Sequence, residues 1–320
     1  MGIDTGKPLN ILFFGTPEFA VVCLQLLVKR NYKIVGVVTS PDRPAGRGKR
    51  LKSSAIKQFA LEKQLPLFQP NNLKDQGFIN SIKALHVDLA IVVAFRMLPQ
   101  VVWSIPKIGT FNLHASLLPQ YRGAAPINWA LVNGEQETGV TTFFIDAAID
   151  TGAILLQKKV AIEKGETAGH LHDRLAEIGS GLICDTIDGL SANEIIAQPQ
   201  YTPQTIKKAP KLTKENTRLD WNQSLNTLIR FVNGMNPYPG AWTVLKQKGE
   251  EIPIKIFTIT YHKEKHRYTI GKLLTSEKQI RIAHHEGWIV CENLQLPNKK
   301  RMTATDLLNG YEFETDAVVF

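Results

Sequence analysis

Asn112 and His114 stand two apart in Thr-Phe-Asn-Leu-His, a stretch with the alternation of a strand end. At that spacing both polar side chains leave one face while Leu113 takes the other. An amide can donate to a developing oxyanion, and an imidazole titrates near neutrality and moves protons. A strand-end Asn and His can equally cap the next turn, so the pair alone decides nothing. Downstream, Asp146 and Asp150 lead into Thr151-Gly152 in the run Ile-Asp-Ala-Ala-Ile-Asp-Thr-Gly. Aspartate before glycine is common turn chemistry, yet a carboxylate placed beside His114 would orient the imidazole. Between them lie a proline-ended turn, Ser116-Leu117-Leu118-Pro119, and a small-residue loop, Tyr121-Arg122-Gly123-Ala124-Ala125-Pro126, before a helix at Ile127.

Other chemistries lack their residues. Gly15-Thr16-Pro17-Glu18-Phe19-Ala20 has no GxGxxG, so a dinucleotide fingerprint is missing. Gly46-Arg47-Gly48-Lys49-Arg50 is no phosphate loop, because Arg50 stands where Ser or Thr would ligate magnesium. There is no GxSxG elbow and no HExxH pair. His170 and His172 are two apart and His284 and His285 adjacent, spacings that point apart on regular structure. Cys23, Cys184 and Cys291 lie far from one another, against a disulfide framework or a zinc site. No metal is expected.

Elements must present the polar pair. Asn10 to Gly15, Ile34 to Val38 and Val87 to Val93 read as buried parallel strands, with helices over Ala20 to Lys29, Ser54 to Lys63 and Ile79 to Leu85. Thr110 to His114, Gly139 to Ile145 and Ile154 to Ala161 read as further strands, and Ala168 to Leu190 as a long amphipathic helix. The pattern predicts an open, mostly parallel α/β sheet of Rossmann-like type, whose ligands bind beyond the carboxyl ends of the strands. Chemistry is therefore expected at Phe14-Gly15, Ala94-Phe95 and Asn112 to His114. Trp221 to Val232 reads as a helix. Five short strands follow (Ala241 to Lys246, Ile254 to Tyr261, Tyr268 to Thr275, Gln279 to Ala283, Trp288 to Leu294), a count that suits a small β-barrel. Within this part, Asn236-Pro237-Tyr238-Pro239-Gly240-Ala241-Trp242 is a rigid aromatic turn, fit for barrel support or for base stacking.

The chain has 320 residues, 43% hydrophobic and 21% charged, which excludes a disordered or fibrous protein. It lacks an apolar run of ~18–20 residues and a secretory leader, so a reduced, cytoplasmic protein is expected. Net charge is +9, unevenly spread. Residues 207–320 carry 18 basic against 12 acidic side chains, and residues 1–206 carry 20 against 17. Proline and polar residues from Ser191 through Pro199 and Pro203 to Pro210-Lys211 read as a linker. Two domains are expected, 1–206 and a smaller, basic 207–320. Ser40 to Ser54 reads as a flexible cationic loop with Arg43, Arg47, Lys49, Arg50 and Lys52, suited to phosphates, as are Lys207, Lys208 and Lys211.

Taken together, Asn-x-His, Ser-Leu-Leu-Pro, Tyr-Arg-Gly-Ala-x-Pro and Asp-Thr-Gly make the chain resemble the 10-formyltetrahydrofolate-dependent formyltransferases. Ile11 to Ala20 and Pro41 to Lys49 make it similar to the branch that acts on methionyl initiator tRNA, over Asn10 to about Glu314. The resemblance implies Asn112, His114 and Asp150 as catalytic residues, and Phe95, Met97, Leu98, Ser116, Leu117, Leu118, Pro119 and Asp146 on the folate side. It implies 10-formyltetrahydrofolate as co-substrate, no metal, tRNA on Arg43, Arg47, Lys49, Arg50, Lys207, Lys208 and Lys211, an OB-like second domain, and a monomer away from membranes. One departure is Arg96-Met97-Leu98-Pro99 after Phe95, where the family often has glycine and aliphatics. Two rivals remain. A formyltransferase for a nucleotide sugar or glycinamide ribonucleotide would not need both basic regions, and an RNA-binding protein with a degenerate α/β domain would be expected to have lost a catalytic residue.

Overall fold

Ile11–Gly15 is buried along its whole length and forms β1, an interior strand of the first sheet in the computed structural model, which describes residues 8–45, 50–201, 204–276 and 278–320. Pro17 precedes α1 (Glu18–Lys29), whose Phe19, Ala20, Cys23, Leu24 and Leu27 are buried. β2 (Ile34–Val38) follows, then β3 (Arg43–Ala45) and β4 (Arg50–Lys52), which pair antiparallel as a two-stranded ribbon. Where a flexible loop was expected, the chain therefore makes a hairpin stem. The Ser54 hydroxyl accepts from Lys57 N–H and starts α2 (Ala55–Glu62). After β5 (Leu67–Phe68), Asp75 caps α3 (Gln76–Ala84), three residues earlier than the apolar spacing alone predicts.

β6 (Leu89–Val93), α4 (Gln100–Trp103), β7 (Gly109–His114), β8 (Arg122–Gly123), α5 (Pro126–Val132), β9 (Glu137–Phe144), β10 (Ile154–Ala161) and α6 (Ala168–Ser191) complete the first two-thirds. The sheet runs β10-β9-β7-β6-β1-β2-β5. β5, β2, β1, β6 and β7 are mutually parallel, and β9 and β10 close the edge antiparallel. The chain reverses its direction of travel across the sheet between β1 and β6, so a crevice opens at the carboxyl ends of those strands. α6 covers the side of β7 opposite Asn112 and His114. A Cβ on Gly179 would come within 2.7 Å of Leu113 Cδ2, so glycine permits that close approach.

β11 (Lys208–Ala209) and α7 (Leu225–Met235) lead into the antiparallel strands. α7 starts at the Ser224 cap rather than at Trp221. Trp221 is instead buried, its indole N–H donating to Thr243 Oγ1. β12 (Ala241–Gln247), β13 (Glu250–His262), β14 (Leu273–Ser276), β15 (Gln279–His284), β16 (Gly287–Gln295), β17 (Met302–Thr303), α8 (Ala304–Leu308) and β18 (Val318–Val319) follow. The strands order as β14-β15-β16-β13-β12-β18, a curled sheet whose ends meet where Lys272 bridges Val318. Leu225, Leu228, Val232 and Met235 of α7 fill the core beneath it with Ile254, Ile256 and Ile289.

Two compact units result. One comprises Met1–Gly123, Glu137–Ala161 and His172–Lys208, the other Ala124–Gln136, Ile162–Leu171 and Ala209–Phe320. The two units interleave along the sequence. No helix among the described residues is long and apolar enough to cross a membrane.

Candidate active site

β7 delivers Asn112 and His114 to the carboxyl-end edge of the first sheet, opposite Phe143 and Thr141 of β9. Asn112 is half-buried and His114 is 7% exposed. His114 Nε2 lies 2.8 Å from the Tyr121 carbonyl, which can only accept. Nε2 therefore carries the hydrogen, an assignment from the bonding network, and Nδ1 is the nitrogen left to exchange a proton. Nδ1 faces Asp150 Oδ2 at 3.9 Å. That gap is an ion-pair distance and too long for a hydrogen bond. The carboxylate is steered instead by the Gly123 N–H, which donates to Oδ2 at 2.9 Å.

Asp150 sits at φ +56°. Left-handed backbone costs a residue with a Cβ roughly 1–2 kcal/mol, though aspartate bears it better than most. Ala94 (φ +47°), just after β6, and Tyr121 (φ +60°) share this conformation. Three strained residues thus ring the strand ends, as expected where surrounding structure over-determines a site. The Asp150 segment is clamped from below. Gln200 Nε2 donates to both the Asp150 and the Gly152 carbonyls at 2.9 Å, and its own carbonyl accepts from the Arg122 guanidinium. Gly152 is required there, since a Cβ would lie 1.6 Å from Phe144 O.

Arg122 stands out in the sequence only as part of the Tyr121-to-Pro126 loop, and Gln200 not at all. Gln200 lies in the stretch read as a linker, and nothing local marks it, because its partners are about fifty residues away. That stretch is strapped to the first unit. Gln198 bridges Ile154, Lys207 N–H donates to Gln120 Oε1, and Tyr121 N–H donates to the Lys207 carbonyl. Lys207 thus sits beside the loop whose carbonyl holds His114.

The residues expected on the folate side divide by exposure. Phe95 is half-buried, its ring 5.6 Å from that of Phe14, and Met97 is 72% exposed. Leu98 packs into the core with Phe14 and Val92. Ser116 is fully buried, its hydroxyl donating to Gln120 O and its carbonyl accepting from Thr141 Oγ1. Leu118 is buried, while Leu117 and Pro119 are half-buried. Asp146 is exposed and closes its own loop, accepting from Ala148 N–H and the Thr151 hydroxyl. Arg96, the departing residue, donates to the Pro70 and Asn71 carbonyls and lies over the Phe95 ring. Burial, helped by the charge of Arg43, lowers its pKa. It ties the loop after β6 to the loop after β5.

Among the proposed phosphate contacts, Arg43, Lys207, Lys208 and Lys211 are exposed, and Arg50 pairs in the hairpin stem opposite Ala45. Arg47 and Lys49 lie outside the described residues. His284 and His285 do not point apart as expected. Their ring centroids lie 4.0 Å apart, tilted by 41°, at the turn ending β15, and with Glu286 they form a group whose donor atoms lie close together. His284 is committed to the protein, with Nε2 on Gln223 O and Nδ1 accepting from Glu286 N–H.

Comparison with known proteins names a family. The formyl transferase family model matches residues 9–187, and the model of the formyl transferase C-terminal domain matches residues 211–312. The chain is 53% identical to the methionyl-tRNA formyltransferase of Flavobacterium johnsoniae, over 98% of this chain and all of that one. It is 46% identical to the methionyl-tRNA formyltransferase of Bacteroides fragilis, over 95% of this chain and 96% of that one. Among solved structures, HypX from Aquifex aeolicus superposes with a TM-score of 0.66 at 18% identity, covering 95% of this chain and 49% of that one. An N-formyltransferase from Helicobacter canadensis superposes with a TM-score of 0.63 at 19% identity, over 88% and 98%. With both parts matched by family models and a relative 53% identical over nearly the whole chain, the chain belongs to the formyl transferase family.

Proposed function

We propose that this protein transfers the formyl group of 10-formyltetrahydrofolate to the α-amine of methionyl initiator tRNA, giving N-formylmethionyl-tRNA. The observation that carries the reading is Asn112, His114 and Asp150 gathered at one strand-end edge, with His114 Nδ1 and Asp150 Oδ2 3.9 Å apart. Relatives named methionyl-tRNA formyltransferase support the acceptor. In this reading the amine nitrogen bonds to the formyl carbon while the carbon–N10 bond of the folate breaks. The Asn112 amide donates to the oxygen that becomes anionic between those events, the largest kind of stabilisation such a site supplies. The proton leaving the amine passes to N10 by way of His114 Nδ1, with the Asp150 carboxylate balancing the imidazolium. Phe95 and Met97 face the folate.

Domain 1–206 would hold folate and chemistry, and the basic 207–320 part the tRNA, its curled antiparallel sheet offering the kind of surface OB-type barrels present to nucleic acid. The test is formyl transfer by the full chain to methionyl initiator tRNA beside a nucleotide amino sugar and glycinamide ribonucleotide. Product on the tRNA alone is expected. Product on a small amine with none on the tRNA would transfer the reading to the small-amine class.

A further inference from the structure

Tyr238 is 80% exposed, although the turn that carries it is held firmly on both sides. Asn236, buried, donates through Nδ2 to Phe257 O at 2.8 Å and accepts from Arg301 at 3.1 Å. Pro237 and Pro239 flank the tyrosine, and Lys255 Nζ donates to Pro239 O at 2.7 Å. Gly240 follows at φ +83°, where a Cβ would come within 2.9 Å of the Phe257 ring. Supporting the barrel, one of the two roles the sequence allows this turn, falls to Asn236 and to Trp242. The latter is half-buried and donates its indole N–H to Lys214 O. None of these hydrogen bonds involves the Tyr238 ring.

A cavity of about 590 Å³ opens beside it, lined by Tyr238, Trp242, Ile254, Leu296, Lys214 and Lys255 among others. Aspartate and glutamate are absent from its described lining, so its charge is wholly positive. Lys214 Nζ and Arg218 Cζ lie 5.1 and 5.5 Å from the Trp242 ring centroid. An aromatic face fixed between two prolines loses little freedom on stacking, and the adjacent cations suit a phosphate. The prolines lining the cavity could also seat an extended peptide, but an all-cationic lining favours a polyanion.

We infer that this cavity holds one unstacked nucleotide of the RNA substrate, its base against Tyr238 and its phosphate on Lys214 and Lys255. The inference rests on the tRNA reading above. It is tested on the full chain by equilibrium binding of methionyl initiator tRNA, read separately from turnover. Tyr238→Ala is expected to weaken binding about ten-fold, the scale of one lost base stack, and Tyr238→Trp to retain it. The KM for the formyl donor stays at its wild-type value, and the unfolding midpoint checks that the exposed substitution leaves the fold intact. Lys214→Gln is expected to flatten the slope of log K against log salt by about 0.7, the single-strand value. Tyr238→Ala binding as tightly as wild type, in a chain that formylates the tRNA, would overturn the cavity's role alone and leave it to a peptide. Wild type that binds the tRNA but does not formylate it would instead sink the proposed function, while the Tyr238 comparison still decides the cavity.

Discussion

At the scale of single residues, the site combines a charge with a strained backbone, and the two can be separated. Asp150→Asn keeps an oxygen for Gly123 N–H and a residue tolerant of φ +56°, but removes the charge. Asp150→Ala removes both. Each is expected to lower kcat by at least ~10²-fold, the scale of a lost general acid/base component. Only the alanine variant should also lose about 1 kcal/mol of stability in denaturant titration. Full turnover in the asparagine variant would show that the charge is dispensable. Ala94 is exposed and left-handed, so Ala94→Gly discards no packing and relieves strain. It should raise unfolding stability by about 1 kcal/mol, and a lower denaturation midpoint would contradict the strain argument. Arg122 and Gln200 act in series on the Asp150 carbonyl. Alanine at either should cost about tenfold in kcat, and the double variant should be no worse than the singles if they form one clamp. The placement of Asn112 and His114 on one strand end is legible because alternation in a strand is a local pattern. The Gln200 clamp was not, because a hydrogen bond across fifty residues leaves no trace in spacing.

At the scale of elements, β1, β2, β7, β10 and α6 fall within a residue or two of the ranges read from apolar runs and helical spacing. The misreadings were at caps and turns. α7 begins where the Ser224 hydroxyl can accept from Thr227 N–H, which overrides the aromatic residue upstream. Glycines and cations dominate the stretch around β3 and β4, so it reads as a loop although the two strands pair. Its stem sets Arg43 directly opposite Lys52, a like-charge pair that weakens a sheet. Arg43→Ala should therefore leave stability unchanged or slightly raised while lowering kcat/KM for tRNA. A destabilised variant would mean that Arg43 is a structural residue. In the second unit, burial, then the charges of His285 and His266, hold the His284 pKa below its ordinary 6.5, against the opposing pull of the Gln223 carbonyl and Glu286. The unfolded chain takes up this proton first as pH falls. Stability is thus complete above about pH 6.5, declines as pH drops below it, and finishes declining once the folded pKa is passed. A thermal midpoint followed through that window should show this step in wild type and lose it in His284→Gln.

For the whole molecule, uneven charge is the feature that the sequence shows most plainly and that binding should feel first. An excess of +6 over residues 207–320, from 18 basic and 12 acidic side chains, predicts steep salt dependence of tRNA binding. Lys207 and Lys208 belong to the first unit and Lys211 to the second. Neutralising Lys211 should weaken binding with little effect on kcat. Neutralising Lys207, strapped to the Tyr121 loop, should touch both. The interleaving of the two units was beyond composition, since 124–136 and 162–171 carry no linker signal. The central claim is that His114, held by the Tyr121 carbonyl and facing Asp150, moves the proton in formyl transfer to an aminoacylated tRNA. Single-turnover formylation of methionyl initiator tRNA by His114→Ala, at saturating folate and enzyme, tests it most directly. The account predicts a rate at least ~10²-fold below wild type with tRNA affinity retained, and a rate near wild type would contradict it.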